Sequence, residues 1–101
     1  MTVLANTAPT VLHLSGDIDI STTADLRRRI LAALDESAEV LILDMAAVTF
    51  CDAAGLGVLI YTERQAQARG VTLALTRLTP RMIRLLDIAK FGDRFPILAG
   101  S

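Results

Sequence analysis

Residues 40–43 form an uninterrupted aliphatic run, Val-Leu-Ile-Leu, and this run most constrains the fold. Such a run is typical of a strand that is covered on both faces. The segment before it has helical spacing instead, because Leu26, Ile30 and Leu34 recur at every fourth position. A second helix is predicted from residue 52 to about residue 69. A strand between two helices predicts an α/β fold with this strand at the centre of the sheet.

Local start and stop signals mark the ends of these helices. Thr22 with Asp25 three residues later resembles a capping box at the start of the first helix. Gly70 is placed to end the second helix in a left-handed conformation. A third helix should begin at Thr79, with Pro80 at its first helical position, and should run almost to residue 92.

Strand-like segments flank the helices, and they are residues 1–4, 10–15, 71–75 and 95–98. The first should fold back as a hairpin, and the last contains a proline and is predicted to lie at an edge of the sheet. The sequence thus predicts one domain, residues 1–101, with a mixed sheet of four to five strands and helices packed against it.

Composition narrows the class of protein. Hydrophobic residues make up 52% of the chain and charged residues 21%, as in folded globular domains. The longest uncharged helical run, residues 53–62, is shorter than the roughly 20 apolar residues of a membrane span. No signal peptide is visible at the N-terminus, so we expect a cytoplasmic protein. A net charge of −1 and an arginine run, residues 27–29, without interleaved aromatic residues predict a solvated helix face and no nucleic-acid partner.

Metal and redox chemistry have little support in the sequence. Cys51 and His13 are the only residues of their types, and we assign His13 no role. Asp17 and Asp19 have no third ligand at a suitable spacing, which favours capping or partner contact. Cys51 is predicted to be a small buried hydrophobe or, alternatively, a redox-sensitive thiol whose pKa is lowered by a helix N-terminus. We expect no metal, no cofactor and no enzymatic activity.

Residues 50–60, Phe-Cys-Asp-Ala-Ala-Gly-Leu-Gly-Val-Leu-Ile, join the central strand to the second helix through unusually small residues. Asp52 is predicted to cap this helix by accepting a hydrogen bond from the amide of Ala54 or Gly55. Gly55 and Gly57 each destabilise a helix by about 1 kcal/mol relative to alanine. Close packing on the sheet and close approach of a partner backbone explain these glycines equally well.

Two apolar residues of the second helix are predicted to face solvent. On a helical wheel, Val58 and Tyr61 lie roughly opposite Leu56 and about one turn apart. Tyrosine is a common anchor of protein interfaces. Both residues are therefore candidates for contact with a partner.

Four motifs along nearly the whole chain are similar to those of the STAS domain family, which is named after sulfate transporters and anti-sigma-factor antagonists. They are Gly16-Asp17-Ile18-Asp19, Leu43-Asp44, residues 48–57 and Thr79-Pro80. Each motif is weak alone, but their order and spacing make the resemblance specific. It implies a single STAS-type domain.

In the bacterial antagonists of this family the turn reads Asp-Ser-Ser/Thr-Gly-x-Gly. The resemblance implies that the serine after the aspartate is phosphorylated by a kinase that is also the anti-sigma factor, and that the unphosphorylated antagonist binds this kinase and frees the sigma factor. Here Ala53 occupies the phosphoacceptor position and Ala54 follows it. We expect a protein fixed in its binding form, and the nearby hydroxyls that could substitute are Ser21, Thr22, Thr23 and Thr49.

The resemblance implies a partner, an anti-sigma factor with a kinase-type ATPase domain, that contacts loop 16–23 and the start of the second helix. The predicted contact residues are Asp17, Asp19, Ser21, Thr22, Asp52, Ala53, Ala54, Gly55, Leu56, Gly57, Val58 and Tyr61. We expect a non-catalytic regulator that acts as an anti-sigma-factor antagonist. One alternative is a STAS scaffold subunit of a signalling complex or membrane transporter assembly. Another is a nucleotide-binding sensor or enzyme, which only the short Gly-x-Gly element supports.

Overall fold

Four strands and three helices alternate along the part of the chain that the computed structural model describes, residues 9–37, 39–91, 93 and 95–98. They are β1 (Thr10–Ile18), α1 (Thr23–Glu36), β2 (Val40–Cys51), α2 (Ala53–Ala68), β3 (Thr72–Thr76), α3 (Pro80–Ile88) and β4 (Ile97–Leu98). The predicted order of elements is confirmed, although β1 and β2 are longer than predicted. None of the described helices is both long and apolar enough to cross a membrane.

The four described strands form one parallel sheet in the order β1-β2-β3-β4. β2 lies between β1 and β3, as its aliphatic run predicts. Leu41 and Leu43 are fully buried, whereas Ile42 on the opposite face is half-buried, so that face is covered less than predicted. The strand predicted at residues 1–4, which would make the sheet mixed, lies outside the described residues.

The start of α1 is confirmed, but its predicted cap is wrong. The predicted stripe is buried and consists of Leu26, Ile30 and Leu34, joined by Ala33. Thr22 is the N-cap residue, yet its side chain makes no capping hydrogen bond. Its Oγ1 lies 3.0 Å from the carbonyl oxygen of Asp17 and 3.2 Å from that of Asp19, and it can donate to either. The preceding loop therefore uses the hydroxyl that the capping box would need.

α2 buries a wider arc than its spacing predicts, because it packs against α1 as well as against β2 and β3. Val58 is only 8% exposed and Thr62 is fully buried, so the prediction that Val58 faces solvent is wrong. Tyr61 is exposed, as predicted. The Thr62 hydroxyl donates to the carbonyl oxygen of Val58, 2.9 Å away, which satisfies this buried polar group.

α2 and α3 end with the same left-handed backbone motif. After α2 the left-handed residue is Gly70, with a φ of +70°, as predicted. After α3 it is Lys90, with a φ of +62°, and the amide of Phe91 donates to the carbonyl oxygen of Leu86 at 2.9 Å. α3 consequently ends at Ile88, earlier than predicted, because a lysine gives no sequence signal for this conformation.

An ion pair between a buried carboxylate and a half-exposed arginine joins β2 to the segment after β3. The Asp44 carboxylate accepts two hydrogen bonds from the Arg77 guanidinium, at 2.5 Å and 3.1 Å, and Asp44 is only 5% exposed. The amide of Ala46 donates to the same carboxylate, and Nδ1 of His13 lies 2.9 Å from it. The Arg77 hydrogen bonds are the main reason that the pKa of Asp44 falls from 3.8 to about 2. His13 thus has a structural neighbour that the sequence did not indicate.

Gly55 lies where α2 comes closest to the end of β1. A Cβ atom there would lie 2.5 Å from Ile18 Cγ2, 2.8 Å from the Ile18 carbonyl oxygen and 2.9 Å from Cys51 Sγ. Close packing therefore explains this glycine. At Gly57 a Cβ atom would meet nothing within 4 Å, so packing does not require a glycine there.

Replacing Asp44 with asparagine should destabilise the fold at pH 7 by about 1–3 kcal/mol, because Arg77 loses a charged acceptor. The folded-state pKa of Asp44 is below its ordinary value, so its contribution is complete above pH 3.8 and is lost towards pH 2. Urea unfolding at several pH values should show that the difference in the free energy of unfolding between the variant and wild type shrinks as the pH falls from 3.8 to about 2. Asp25→Asn, which breaks an exposed ion pair with Arg28, is the control and should cost under about 1 kcal/mol. A pH-independent difference would contradict the assignment.

Alanine substitutions at the two glycines of α2 should have opposite effects. Gly55→Ala should destabilise the protein by about 1–3 kcal/mol, because the new methyl group meets the Ile18 backbone. Gly57→Ala should stabilise it by up to about 1 kcal/mol through helix propensity. Thermal or chemical unfolding of both variants measures this, and equal effects would show that the contact at Gly55 has been misjudged.

Candidate partner-binding surface

The turn between β2 and α2 is fixed by hydrogen bonds to Asp52. Its Oδ1 accepts from the amide of Gly55 at 3.1 Å, which confirms the predicted cap. Its own amide donates to the carbonyl oxygen of Ile18 at 3.1 Å. The second bond ties the start of α2 to the end of β1, beside the loop of residues 19–22.

α2 presents a stripe of mostly small residues to solvent. Ala53, Gly57 and Tyr61 recur at every fourth position and are all exposed, whereas Ala54 is half-buried. Ala53, the family's phosphoacceptor position, is the first residue of the helix. The open space beside Gly57 leaves room for another backbone to approach closely.

The loop of residues 19–22 satisfies its own polar groups. The Asp19 carboxylate accepts hydrogen bonds from the hydroxyl and the amide of Ser21, at 2.6 Å and 2.9 Å, and these bonds lower the pKa of Asp19. The Thr22 hydroxyl accepts from the amide of Asp19 at 3.0 Å. Ile20 lies among these polar residues and is 81% exposed. The loop therefore holds a large apolar side chain in solvent.

The paired ends of β1 and β2 bring a second apolar side chain to the same region. Asp17 and Phe50 lie opposite each other in the strand register, and the Thr49 hydroxyl donates to Asp17 Oδ1 at 2.7 Å. Phe50 is 43% exposed. Phe50 and Ile20 were not among the predicted contact residues. The sequence signals that could have identified them were an aromatic residue at a strand end, for Phe50, and an aliphatic residue in a polar loop, for Ile20.

Arg27 extends this region onto α1. Its guanidinium carbon lies 5.9 Å from the centroid of the Tyr61 ring, within cation–π distance. Arg28 and Arg29 are exposed and hydrogen-bonded to neighbouring groups of the chain, as predicted for a solvated helix face. We define the docking surface, a candidate for partner binding, as Ile20, Arg27, Phe50, Ala53, Gly57 and Tyr61.

Three of the predicted contact residues lie beneath this surface. Gly55, Leu56 and Val58 are buried and belong to the face of α2 that packs inside the protein. Being buried, these three residues support the exposed stripe from beneath and present almost no surface to a partner. Asp52 is half-buried and holds the helix start.

The titratable groups beside the turn do not include an activated thiol. Cys51 is half-buried, and burial together with the charge of Asp52 raises the pKa of its thiol to about 11. The redox alternative, which needs a lowered pKa, is therefore contradicted. Across the described part of the chain, His, Cys, Asp and Glu side chains form no group of three that could hold a metal ion.

Comparisons with known proteins agree with the motifs. The STAS domain family matches residues 1–99. The anti-sigma-B factor antagonist of Bacillus subtilis (strain 168) is 31% identical over 90 residues, which cover 89% of this chain and 82% of that protein. This similarity extends through the turn and both of its flanking elements.

Two solved structures have the same fold. The Bacillus cell fate determinant SpoIIAA in its phosphorylated form has a TM-score of 0.70 at 18% identity, over 98% of this chain and 88% of that one. A sulfate transporter family protein from Wolinella succinogenes has a TM-score of 0.70 at 22% identity, over 94% and 80%. At these identities the two structures inform the fold alone. The family match, in contrast, covers nearly the whole chain. This chain therefore belongs to the STAS domain family and is similar to its anti-sigma factor antagonists.

Proposed function

We propose that this protein is a regulatory antagonist that docks onto an anti-sigma factor with a kinase-type ATPase domain and thereby releases a sigma factor. The observation that carries the proposal is an exposed docking surface around a helix start that keeps the family's aspartate and glycines but has alanine at the phosphoacceptor position. Similarity to the Bacillus antagonist supports the class of partner. Sigma factors act with RNA polymerase, so the proposed site of action is the cytoplasm.

Three exposed side chains would supply most of the docking free energy. Ile20, Phe50 and Tyr61 are all large and exposed. Burying a fully exposed side chain of this kind contributes about 1.5–3 kcal/mol, and Phe50 and Tyr61, which are 43% exposed, would contribute less than half of this amount. Because Ala53 has a small side chain and Gly57 has none, a partner backbone can approach the helix closely at these two positions. Beside Tyr61 the positive charge of Arg27 favours a partner with an acidic group at this place.

The polar residues predicted as contacts have a positioning role in this proposal. Asp17, Asp19, Ser21 and Thr22 hydrogen-bond to one another or to Thr49. These bonds order the loop before a partner arrives, which reduces the conformational entropy lost on docking. Their main effect is to hold Ile20 in place, and direct contact with the partner is secondary.

Ala53 would make the complex insensitive to phosphorylation at this position. A phosphate on the first helical residue would lie beside unpaired amides and the positive end of the helix dipole, and it would add about −1.5 to −2 charge. Alanine cannot accept it. The Ser21 and Thr49 hydroxyls donate to the carboxylates of Asp19 and Asp17, so charge repulsion disfavours a phosphate at either substitute.

The alternative function, a STAS scaffold subunit of a signalling complex or membrane transporter assembly, would use the same docking surface on a different protein. Capture of the tagged protein from its native cells distinguishes the two functions. Recovery of a kinase-type ATPase supports the antagonist function. Recovery of transporter subunits without such an ATPase supports the scaffold.

Restoring the hydroxyl should restore phosphorylation. With the kinase-type anti-sigma factor and Mg-ATP, Ala53→Ser should take up stoichiometric phosphate, whereas wild type should take up none. Ala68→Ser, at the exposed C-terminal end of the same helix, is the matched control and should also stay unmodified. Phosphate-affinity gels give the stoichiometry. Stoichiometric labelling of wild type, or an inert Ala53→Ser variant, would refute this part of the proposal.

Removing the apolar anchors should weaken docking without unfolding the protein. Ile20→Ser and Tyr61→Ala should each raise the dissociation constant for the anti-sigma factor about tenfold or more. Ile88→Ser removes a similarly exposed side chain on α3 and should leave the affinity unchanged. Calorimetric titration measures all three. If the α3 variant lost as much affinity as the other two, the docking surface would be wrongly placed.

A further inference from the structure

The outer edge of the sheet carries a second apolar surface that the proposed function does not use. Among the described strands β4 pairs only with β3, so its other edge is unpaired. Ile97 and Leu98 of β4 and Ile83 of α3 are all exposed by 40% or more. We define the α3–β4 face as Ile83, Arg84, Asp87 and Ile97.

A groove of about 500 Å³ runs between α3 and β4. Its lining is mostly apolar and consists of Pro80, Ile83, Arg84, Leu86, Asp87 and Ile97. Ile97 lines this groove, whereas Leu98, the next residue of β4, points to the opposite face of the sheet. The same small area therefore contains an apolar recess and the exposed side chains of Ile83 and Ile97.

The two charges that line the groove have opposite signs. Arg84 and Asp87 lie three residues apart on α3 and are both exposed. Within the described residues neither forms an ion pair, with the other or with a third residue. A face that carries one unpaired positive and one unpaired negative charge is complementary to a copy of itself turned by a two-fold rotation.

We infer that the α3–β4 face is the contact between two copies of this chain in a two-fold symmetric dimer. If the axis passes between positions 85 and 86, the two α3 helices run antiparallel and each Arg84 meets the Asp87 of the other copy. In this arrangement the exposed Ile83 and Ile97 side chains of both copies lie within the contact. A protein of a different kind would need to match both charges and the recess by chance, whereas a second copy carries them already.

This dimer is independent of the proposed function. The docking surface lies on α1, α2 and the ends of β1 and β2, whereas β4 is the opposite edge of the sheet. Both docking surfaces of the dimer would remain open. One dimer could therefore hold two partner molecules, and failure of either claim leaves the other standing.

Sedimentation velocity of the full chain, from low micromolar to sub-millimolar concentration, should show a monomer–dimer equilibrium. Arg84→Glu and Asp87→Arg each place like charges opposite one another twice, and each should raise the dimer dissociation constant about tenfold. An equimolar mixture of the two variants re-creates both attractive pairs and should recover the wild-type constant.

Arg81→Glu makes the same charge change on an exposed residue of α3 outside the groove and should leave the constant unchanged. Circular dichroism checks that these exposed substitutions leave the fold intact. A wild-type protein that is monomeric at every concentration overturns the inference. The inference is also overturned if Arg84→Glu leaves the dimer dissociation constant unchanged. It is likewise overturned if mixing the two variants does not restore the wild-type constant.

Discussion

The close approach of Gly55 to Ile18 is the constraint on which the docking surface depends. Because position 55 has no side chain, the first turn of α2 rests against the last residue of β1. The amide of Asp52 then reaches the carbonyl oxygen of Ile18, and its carboxylate caps the helix. In a parallel sheet the carboxyl ends of neighbouring strands meet at one edge, so this junction gathers residues from three separate segments. Ile20 follows Ile18 by two residues and Phe50 precedes Asp52 by two, so both are close to this junction along the chain.

Signals within a few residues of sequence predicted most of the fold. The Asp52 cap, the left-handed Gly70 and the central position of the aliphatic run were all recognisable, because each depends on local geometry or on composition. The pair of Asp44 and Arg77 was not, since its members are 33 residues apart and meet only after β2 and β3 are aligned. The left-handed end of α3 at Lys90 was missed because lysine, unlike glycine, gives no sequence signal for this conformation.

The sequence predicted several local features of the candidate surface but not which of its side chains are exposed. The turn, its alanines and the exposure of Tyr61 followed from sequence, but Val58 was placed on the wrong face because the packing of α1 on α2 widens the buried arc. Ile20 and Phe50 were not predicted, because apolar side chains are expected to be buried in the protein interior. The polar loop residues that were predicted as contacts hydrogen-bond largely to one another. Local sequence signals therefore predicted the turn, whereas tertiary packing decided which neighbouring side chains are exposed.

The central claim is that Ala53 leaves this protein permanently able to bind its partner. The most direct measurement is a calorimetric titration of the wild-type protein with the proposed partner, a kinase-type anti-sigma factor, after incubation of the two with Mg-ATP and, separately, with Mg-ADP, followed by repurification. The account predicts the same dissociation constant in both cases, because no phosphate can enter the docking surface at position 53. A loss of affinity after incubation with ATP would contradict it.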